Sequence, residues 1–415
     1  MSPIATSRFA AIFEPRGVLV AGASTHPGKF GFVSLHNILA AGYEGKVFGT
    51  NRDGAEVLGV QTVADVADLP DGEIDLVFVC TPAGHIAIAS QSGNFVSSFE
   101  NYARRTGVGV SRAVSAGNAA AVGVPDYLGY YADDPETRVS LAYVESVGDG
   151  RAFYERLREL AERKPIVLVK GGATAGGQRA AASHTGALAS DDAVFGGMAR
   201  QAGVTRAATV EQAFEAAATF ASQPLPRGDR VAVVTTVGGW GVAAADALAA
   251  TALELAPLPD DLRAAIDQEL PPRWSRNNPI DMAGGETRDT VPKVLDLVAS
   301  HPDIDAVLFL GIGIQSNQAT LMREGPFYPD HGLERIVAYH ERQDARFAEA
   351  SVEVSERTGK PILVATELAV TSPDNPGPAA LRAAGRLCYP SADRAVAALD
   401  HLRRRARWLE RRGLA

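Results

Sequence analysis

A histidine set among small residues, Ala182-Ser183-His184-Thr185-Gly186-Ala187-Leu188, is the stretch of this chain best suited to chemistry. It follows the apolar run Pro165-Ile166-Val167-Leu168-Val169-Lys170 and a glycine-rich loop. Neutral imidazole attacks near pH 7 and also leaves at that pH. Small neighbours, Ser183 and Gly186 among them, leave room for a bulky partner such as a phosphate. A histidine in a loop also serves as a plain hydrogen-bonding surface group, so its surroundings decide.

Two further groups fit the same chemistry. Glu145 ends the run Tyr143-Val144-Glu145-Ser146. A carboxylate at the carboxyl end of a parallel strand faces the ligand crevice. It could accept a hydrogen bond from a histidine N–H, fix the tautomer and stabilise the cation; an exposed loop acid is the alternative. Ser92, Gly93 and Asn94 open an apolar-periodic helix. Its free N–H groups and positive dipole end suit an anion, and Ser92 acting as a plain N-cap is compatible with that. Nucleophile, orienting acid and helix N-terminus together make a phosphohistidine site. No Gly-x-Ser-x-Gly elbow accompanies them.

A glycine turn near the start reads Gly22-Ala23-Ser24-Thr25-His26-Pro27-Gly28-Lys29-Phe30-Gly31. Backbone N–H groups and Lys29 at a helix N-terminus suit a phosphate or pyrophosphate. Phe30 follows Gly28-Lys29, so this is no Walker A loop, and the Gly-x-Gly-x-x-Gly spacing is not met. The next strand ends at Thr50-Asn51-Arg52 without an acid for a ribose diol. A phosphate-bearing cofactor other than NAD is therefore expected, which argues against an oxidoreductase.

These groups need strands to position them. An apolar strand running into a small-residue turn that opens a helix occurs three times: Gly17 to Ala21, Ile86 to Ala89 and Val231 to Val234. Further strands are expected at Val47 to Gly49, Asp75 to Cys80, Val139 to Val144, Pro165 to Val169, Ala306 to Leu310 and Pro361 to Ala365. Helices alternate with them, among them Val33 to Ala41 and Gly150 to Arg163. Such alternation predicts an α/β protein of three consecutive Rossmann- or flavodoxin-like parallel-sheet domains. Their expected bounds are 1–85, 86–223 and 229–415, with Pro224-Leu225-Pro226-Arg227-Gly228 as linker. The first is incomplete, because Cys80-Thr81-Pro82-Ala83-Gly84-His85 runs straight into the second.

The chain of 415 residues carries a net charge of −9, with 46% hydrophobic and 21% charged residues, as in ordinary globular proteins. That charge argues against nucleic acid as a partner. With no run of eighteen apolar residues and no secretory leader, neither membrane insertion nor export is expected. Two cysteines, Cys80 and Cys388, form neither a disulfide framework nor a zinc site, which fits a cytoplasmic protein without bound metal. The run Arg403-Arg404-Arg405-Ala406-Arg407 reads as a solvated, frayed helix end, although it could also bind an anion.

The order of these motifs resembles a known family. Gly22-Ala23-Ser24, Ser90-Gln91-Ser92-Gly93, Ser115-Ala116-Gly117-Asn118, Asp133-Asp134-Pro135-Glu136-Thr137, Tyr143-Val144-Glu145 and Ser183-His184-Thr185-Gly186-Ala187 occur in succession. Gly238-Gly239-Trp240-Gly241 and Asn278-Pro279-Ile280-Asp281 follow. This is similar to the nucleoside-diphosphate-forming acyl-CoA synthetases, relatives of succinyl-CoA synthetase. The resemblance implies a CoA-binding Rossmann-like domain, here shortened, followed by two flavodoxin-like CoA-ligase domains. It implies that His184 carries the phosphoryl group, that Glu145 holds it, and that Ser92, Gly93 and Asn94 face the phosphate. Gly22, Ala23, Ser24, Asn51, Arg52, Thr81 and Pro82 match stretches that hold CoA. The implied reaction joins a small carboxylic acid to CoA through an acyl phosphate. ATP/ADP or GTP/GDP with Mg is then expected on a separate ATP-grasp, β-type subunit, in an oligomer. That partner is expected to bring a second helix N-terminus toward the phosphate. A non-catalytic CoA- or acyl-CoA-binding regulatory protein is the alternative.

Overall fold

The apolar runs named above are strands, except Asp75 to Cys80, which lies outside the described residues. The computed structural model describes residues 14–21, 23–27, 30–51, 53–64, 68–70, 73–74, 83–117, 122–179, 191–282, 284, 287 and 289–414. The chain divides into two compact units, Met1–Ala83 with Gly129–Asp134, and Gly84–Leu128 with Pro135–Ala415.

In the first unit, β1 (Gly17–Ala21) and β2 (Lys46–Thr50) pair in parallel, with Gly17 opposite Lys46 and Ala21 opposite Thr50. The helix Phe30–Ala40 connects them. Val18 and Val20, two apart on a strand face, meet Leu35 and Ile38, three apart on a helix face. A hairpin of β3 (Glu56–Val57) and β4 (Val60–Gln61) follows. It turns through Leu58 and Gly59, at φ 52° and 81°, the positive pair that a two-residue hairpin needs.

The second unit holds two larger sheets. One contains β5 (Ala83–Ser90), β6 (Val110–Ser115), β7 (Val139–Val144), β8 (Ile166–Lys170) and β9 (Thr205–Ala207) in the spatial order β6-β5-β7-β8-β9. The pairs β5–β7, β7–β8 and β8–β9 are parallel. The other contains β10 (Arg230–Thr235), β11 (Glu254–Leu255), β12 (Ile280–Asp281), β13 (Ala306–Leu310), β14 (Ile362–Ala365) and β15 (Cys388–Tyr389). Its order is β11-β10-β13-β14-β15, all parallel, with β12 added to the carboxyl end of β10. Both follow the flavodoxin order, with second, first, third, fourth and fifth strands side by side. The sequence runs on both sides of each first strand therefore leave a crevice between the first and third strands, at their carboxyl ends.

Alternate residues of β10 face two cores. Val231 and Val233 join the cluster of Ile86, Ile88, Leu141, Phe214, Leu399 and Leu402, which spans both sheets. Ala232 and Val234 join Val294, Phe309 and Phe347 on the other side. A strand buried on both faces reads as a continuous apolar run, which is why these strands were legible. The stretch expected as a linker is packed. Pro226 is buried and Leu225 lies on the shared core. Just before it, the Gln223 amide donates to the Ile362 carbonyl at 2.9 Å and accepts from the Ile362 N–H at 3.2 Å.

The arginine run also departs from expectation. The helix Ala392–Glu410 continues through it, and Arg403 and Arg405 are buried. Arg403 is held by Asp229 at 2.5 Å and Glu410 at 2.6 Å. Ala395, Leu399 and Leu402 pack one face of this helix into the core, and the same periodicity carries Arg403 and Arg405 inward.

Candidate active site at the switch point

β5 and β7 lie side by side with Ser90 opposite Tyr143, so the chain leaves both strands on the same edge. After β5 the Ser90 hydroxyl accepts from the Ser92 N–H at 3.0 Å and donates to the Ser92 carbonyl at 2.7 Å. This latch turns the backbone into the helix Gly93–Thr106. Ser92 occupies the N-cap position, but its side chain makes no capping hydrogen bond, and the first turn carries no acid. The N–H groups of Gly93 and Asn94 thus sit at a positive helix end that no side-chain carboxylate of that turn neutralises.

Glu145 follows β7 and is buried, 8% exposed. The Tyr143 hydroxyl donates to Glu145 Oε1 at 3.1 Å. Burial, and then the Glu145 charge, push the Tyr143 hydroxyl pKa up, so it stays a donor. The Tyr143 ring packs edge-on against Phe95 of the helix at 4.3 Å between centroids. Gln91 joins the two strand ends. Its Oε1 accepts from the N–H groups of Glu145 at 2.5 Å and Ser146 at 3.2 Å. Its Nε2 donates to the Ser146 carbonyl at 3.2 Å. A cleft of 560 Å³ opens beside these residues, with Gln91, Val144, Ser146, Val124, Asp126 and Arg156 in its wall.

The strand β8 delivers the loop toward His184. Gly171 passes so close that a Cβ on it would stand 2.5 Å from the Tyr143 hydroxyl and 3.2 Å from Glu145 Cγ. Lys170 donates to the carbonyls of Gly171 and Gly172, each at 3.2 Å, and burial lowers its pKa. Asp192, on the far side of the loop, stands 4.0 Å from Lys170 Nζ and 2.5 Å from Arg206. Both ends of the loop are therefore tied to the carboxyl end of β8. Ser183, His184 and Gly186 themselves lie outside the described residues.

In the first unit, Asn51 Nδ2 donates to the Ala23 carbonyl at 2.7 Å, which joins the turns that follow β1 and β2. Ser24 Oγ accepts from the His26 N–H at 3.1 Å. Ala23, Ser24 and Asn51 thus share the carboxyl edge of the parallel pair. Gly22, Lys29, Arg52, Thr81 and Pro82 lie outside the described residues.

A second helix end of the same build lies at the other large sheet. Thr235 Oγ1 accepts from the Val237 N–H at 3.0 Å and donates to the Val237 carbonyl at 2.8 Å, and the helix Gly238–Ala249 follows. A Cβ on Gly238 would stand 2.5 Å from the Asp281 carboxylate. Asn278 supports this crevice from below, with Oδ1 accepting from the Val233 N–H and Nδ2 donating to the Val231 and Ala256 carbonyls. The signal for both latches was present in sequence as a hydroxyl residue three positions before a glycine, Ser90 to Gly93 and Thr235 to Gly238. Gln91, Tyr143 and Gly171 carried no such signal.

Among the described residues, no group of three or more His, Cys, Asp or Glu side chains is placed to hold a metal ion. Nor is any helix there long and apolar enough to cross a membrane.

Three family models match the chain in succession. They are a CoA binding domain over residues 16–93, a succinyl-CoA ligase like flavodoxin domain over 83–220, and a Ligase-CoA domain over 231–315. The CoA-binding match extends past the Ala83–Ile86 junction into β5 and the start of its helix. The chain is 29% identical over 380 residues to the α subunit of the ADP-forming acetate–CoA ligase I of Pyrococcus furiosus, covering 72% of this chain and 82% of that one. It is 33% identical over 232 residues to the ADP-forming 4-hydroxybutyrate–CoA ligase of Nitrosopumilus maritimus, over 55% of this chain and 33% of that protein. The solved acetyl-coenzyme A synthetase 1 of Ca. Korarchaeum cryptofilum, in complex with phosphate and ADP, superimposes with a TM-score of 0.74 at 25% identity, covering 98% and 99% of the two chains. The chain thus carries, in succession, a CoA-binding, a succinyl-CoA ligase like and a Ligase-CoA domain, and it is similar to α subunits of ADP-forming acetate–CoA ligases.

Proposed function

We propose that this chain is the CoA-binding and phosphohistidine-carrying subunit of an ADP- or GDP-forming acyl-CoA ligase. In the ligase direction a triphosphate phosphorylates His184, with the P–N bond forming as the terminal P–O bond breaks. The carboxylate of a small acid then attacks that phosphorus, forming an acyl phosphate and releasing imidazole. The CoA thiol next attacks the acyl carbon, the C–O bond to phosphate breaks, the thiol proton is lost, and acyl-CoA and inorganic phosphate leave. Such phosphoryl steps need positioning and charge stabilisation above all.

The observation that carries this reading is the pairing of an uncapped helix end with a buried carboxylate at one switch point. The Ser92 hydroxyl and the N–H groups of Gly93 and Asn94 meet negative charge on the phosphoryl oxygens. Glu145, fixed by Gln91 and Tyr143, accepts from the His184 ring and holds its tautomer. Ser183 and Gly186 give the phosphoryl group space and backbone donors. The carboxyl edge of β1 and β2, with Gly22, Ala23, Ser24, Asn51 and Arg52, takes CoA, together with Lys29, Thr81 and Pro82. Residues 1–85, 86–223 and 229–415 act as the CoA-binding, phosphohistidine and second ligase modules. The nucleotide and its Mg bind a partner subunit of ATP-grasp type, and the assembly works in the cytoplasm.

The test is phosphoryl labelling of the full chain by a γ-labelled triphosphate in the presence of that partner. The parent acquires an acid-labile, base-stable label, and His184→Ala does not. Glu145→Gln labels about 10–100-fold more slowly, the loss of one charge-assisted hydrogen bond. Equal labelling of His184→Ala and parent refutes the assignment.

A further inference from the structure

The arginine run near the C-terminus has no part in the chemistry above. It lines a cleft of 480 Å³ between the helix Ala392–Glu410 and the segment made of the helix Asp192–Ala202 and β9. Arg200, Arg206, Arg404, Arg405, Arg407 and Arg411 line it, and no carboxylate is among its lining residues. Three of the six are already neutralised from outside the cleft. Arg206 is paired with Asp192 at 2.5 Å, Arg404 with Asp400 at 2.7 Å and Arg407 with Asp229 at 2.6 Å.

The other three are not. The side chains of Arg200 and Arg411, both exposed at the rim, have no ion pair or side-chain hydrogen bond among the described residues. Arg405 is only 5% exposed, and its Nε and Nη1 are buried without an acceptor among the described residues. A buried guanidinium with no anionic partner is unusual, because burial penalises charge unless it is paired. Burial accordingly pushes its pKa down to about 10. The position of Arg405 is nevertheless built. Its guanidinium lies 5.4 Å from the Trp408 ring, whose Nε1 donates to the Gln201 carbonyl at 3.2 Å. Gly203 makes room for that ring, since a Cβ there would stand 2.3 Å from it.

We propose that this cleft binds a compact phosphate-bearing dianion or trianion, with a diphosphate group held by Arg200, Arg405 and Arg411. Guanidinium forks match phosphate oxygens in pairs, and three unneutralised forks on two elements suit two linked phosphates. Trp408 offers no open face for a base, because Arg405 and Arg412, the latter at 5.2 Å, lie against its ring. Recognition therefore rests on the diphosphate, whether it arrives as inorganic pyrophosphate or within a nucleotide. Bound there, the anion ties the last helix of the second large sheet to the edge of the first, and the folded form gains stability with ligand concentration.

The test is calorimetry on the full chain at fixed ionic strength, with pyrophosphate, ADP and inorganic phosphate as separate probes. Pyrophosphate binds about tenfold or more tightly than phosphate, the scale of an added charge-assisted hydrogen bond. Arg200→Ala/Arg411→Ala, which alters only exposed, unpaired side chains, weakens that binding by a similar factor and leaves the melting temperature without ligand unchanged. His184→Ala retains the binding, which separates this cleft from the phosphohistidine site. ADP binding more tightly than pyrophosphate, and losing that affinity in the double variant, places the diphosphate in a nucleotide. Pyrophosphate binding that survives Arg200→Ala/Arg411→Ala, or is no tighter than phosphate binding, overturns the proposal. So does an oligoglutamate peptide that depends on the same arginines while pyrophosphate does not bind.

Discussion

Gln91 Oε1 accepts the backbone N–H of Glu145 at 2.5 Å, so the turn that opens the helix proposed to face the phosphate also fixes the carboxylate proposed to hold His184. Removing that acceptor uncouples the two. Gln91→Ala leaves the Glu145 and Ser146 N–H groups without it, a loss of about 1–3 kcal/mol. The expected outcome is a rate of His184 labelling lowered about 5–150-fold, with the CoA affinity of the first unit unchanged. Rapid-quench labelling beside calorimetry with CoA measures both. Unaltered labelling would show that Gln91 does not position the site.

Gly171 is glycine because of what stands beside it. Gly171→Ala drives a methyl group to 2.5 Å from the Tyr143 hydroxyl and 3.2 Å from Glu145 Cγ. Overpacking of this kind costs about 1–3 kcal/mol of stability. Labelling of His184 should fall with it, because Glu145 is displaced. Tyr143→Phe removes the nearer obstacle and should restore part of the stability in the Gly171→Ala background. A double-mutant cycle by urea denaturation reads the coupling, and strictly additive effects would contradict the contact.

Asn278 is expected to matter for stability rather than for chemistry. Its amide satisfies the Val233 N–H and the Val231 and Ala256 carbonyls, all buried. Asn278→Ala therefore destabilises by about 3 kcal/mol or more, several unmet backbone groups at once. Asn278→Asp is no rescue, since a carboxylate cannot donate to two carbonyls. The denaturation midpoint should fall with an unchanged slope.

Glu100 gives the folded protein a pH dependence. Burial raises its pKa from 4.5 to about 7. The folded form thus binds the proton more tightly than the unfolded chain. The stability from this group is fully present below pH 4.5 and is lost as pH rises through about 7. Glu100→Gln should flatten the fall in melting temperature between about pH 5 and pH 8. Its partial exposure keeps the effect modest. Parallel pH profiles of parent and variant would contradict it.

The sequence by itself determined the long buried strands, their alternation with helices and the family resemblance, while the edge strand Val110–Ser115 and the short strands such as Thr205–Ala207 carried no such signal. Parallel strands such as Val139–Val144 and Ala306–Leu310 are buried along their whole length, so they appear as unbroken apolar runs that local reading finds. It also placed the helix start at Ser92 and the carboxylate at Glu145, because both follow directly from where a strand stops. Only the tertiary structure decided which groups serve them. Gln91 reaches Glu145 across 54 residues, and Asn278 reaches Val233 across 45, distances over which composition and periodicity carry no information. Charge was the least legible quantity. Arg403 and Arg405 belong to a run that looks solvated, yet the helix phase set by Leu399 and Leu402 turns them inward, where one finds Asp229 and the other has no carboxylate partner among the described residues. Burial of a charge depends on what the opposite surface presents, and that surface comes from elements remote in the chain.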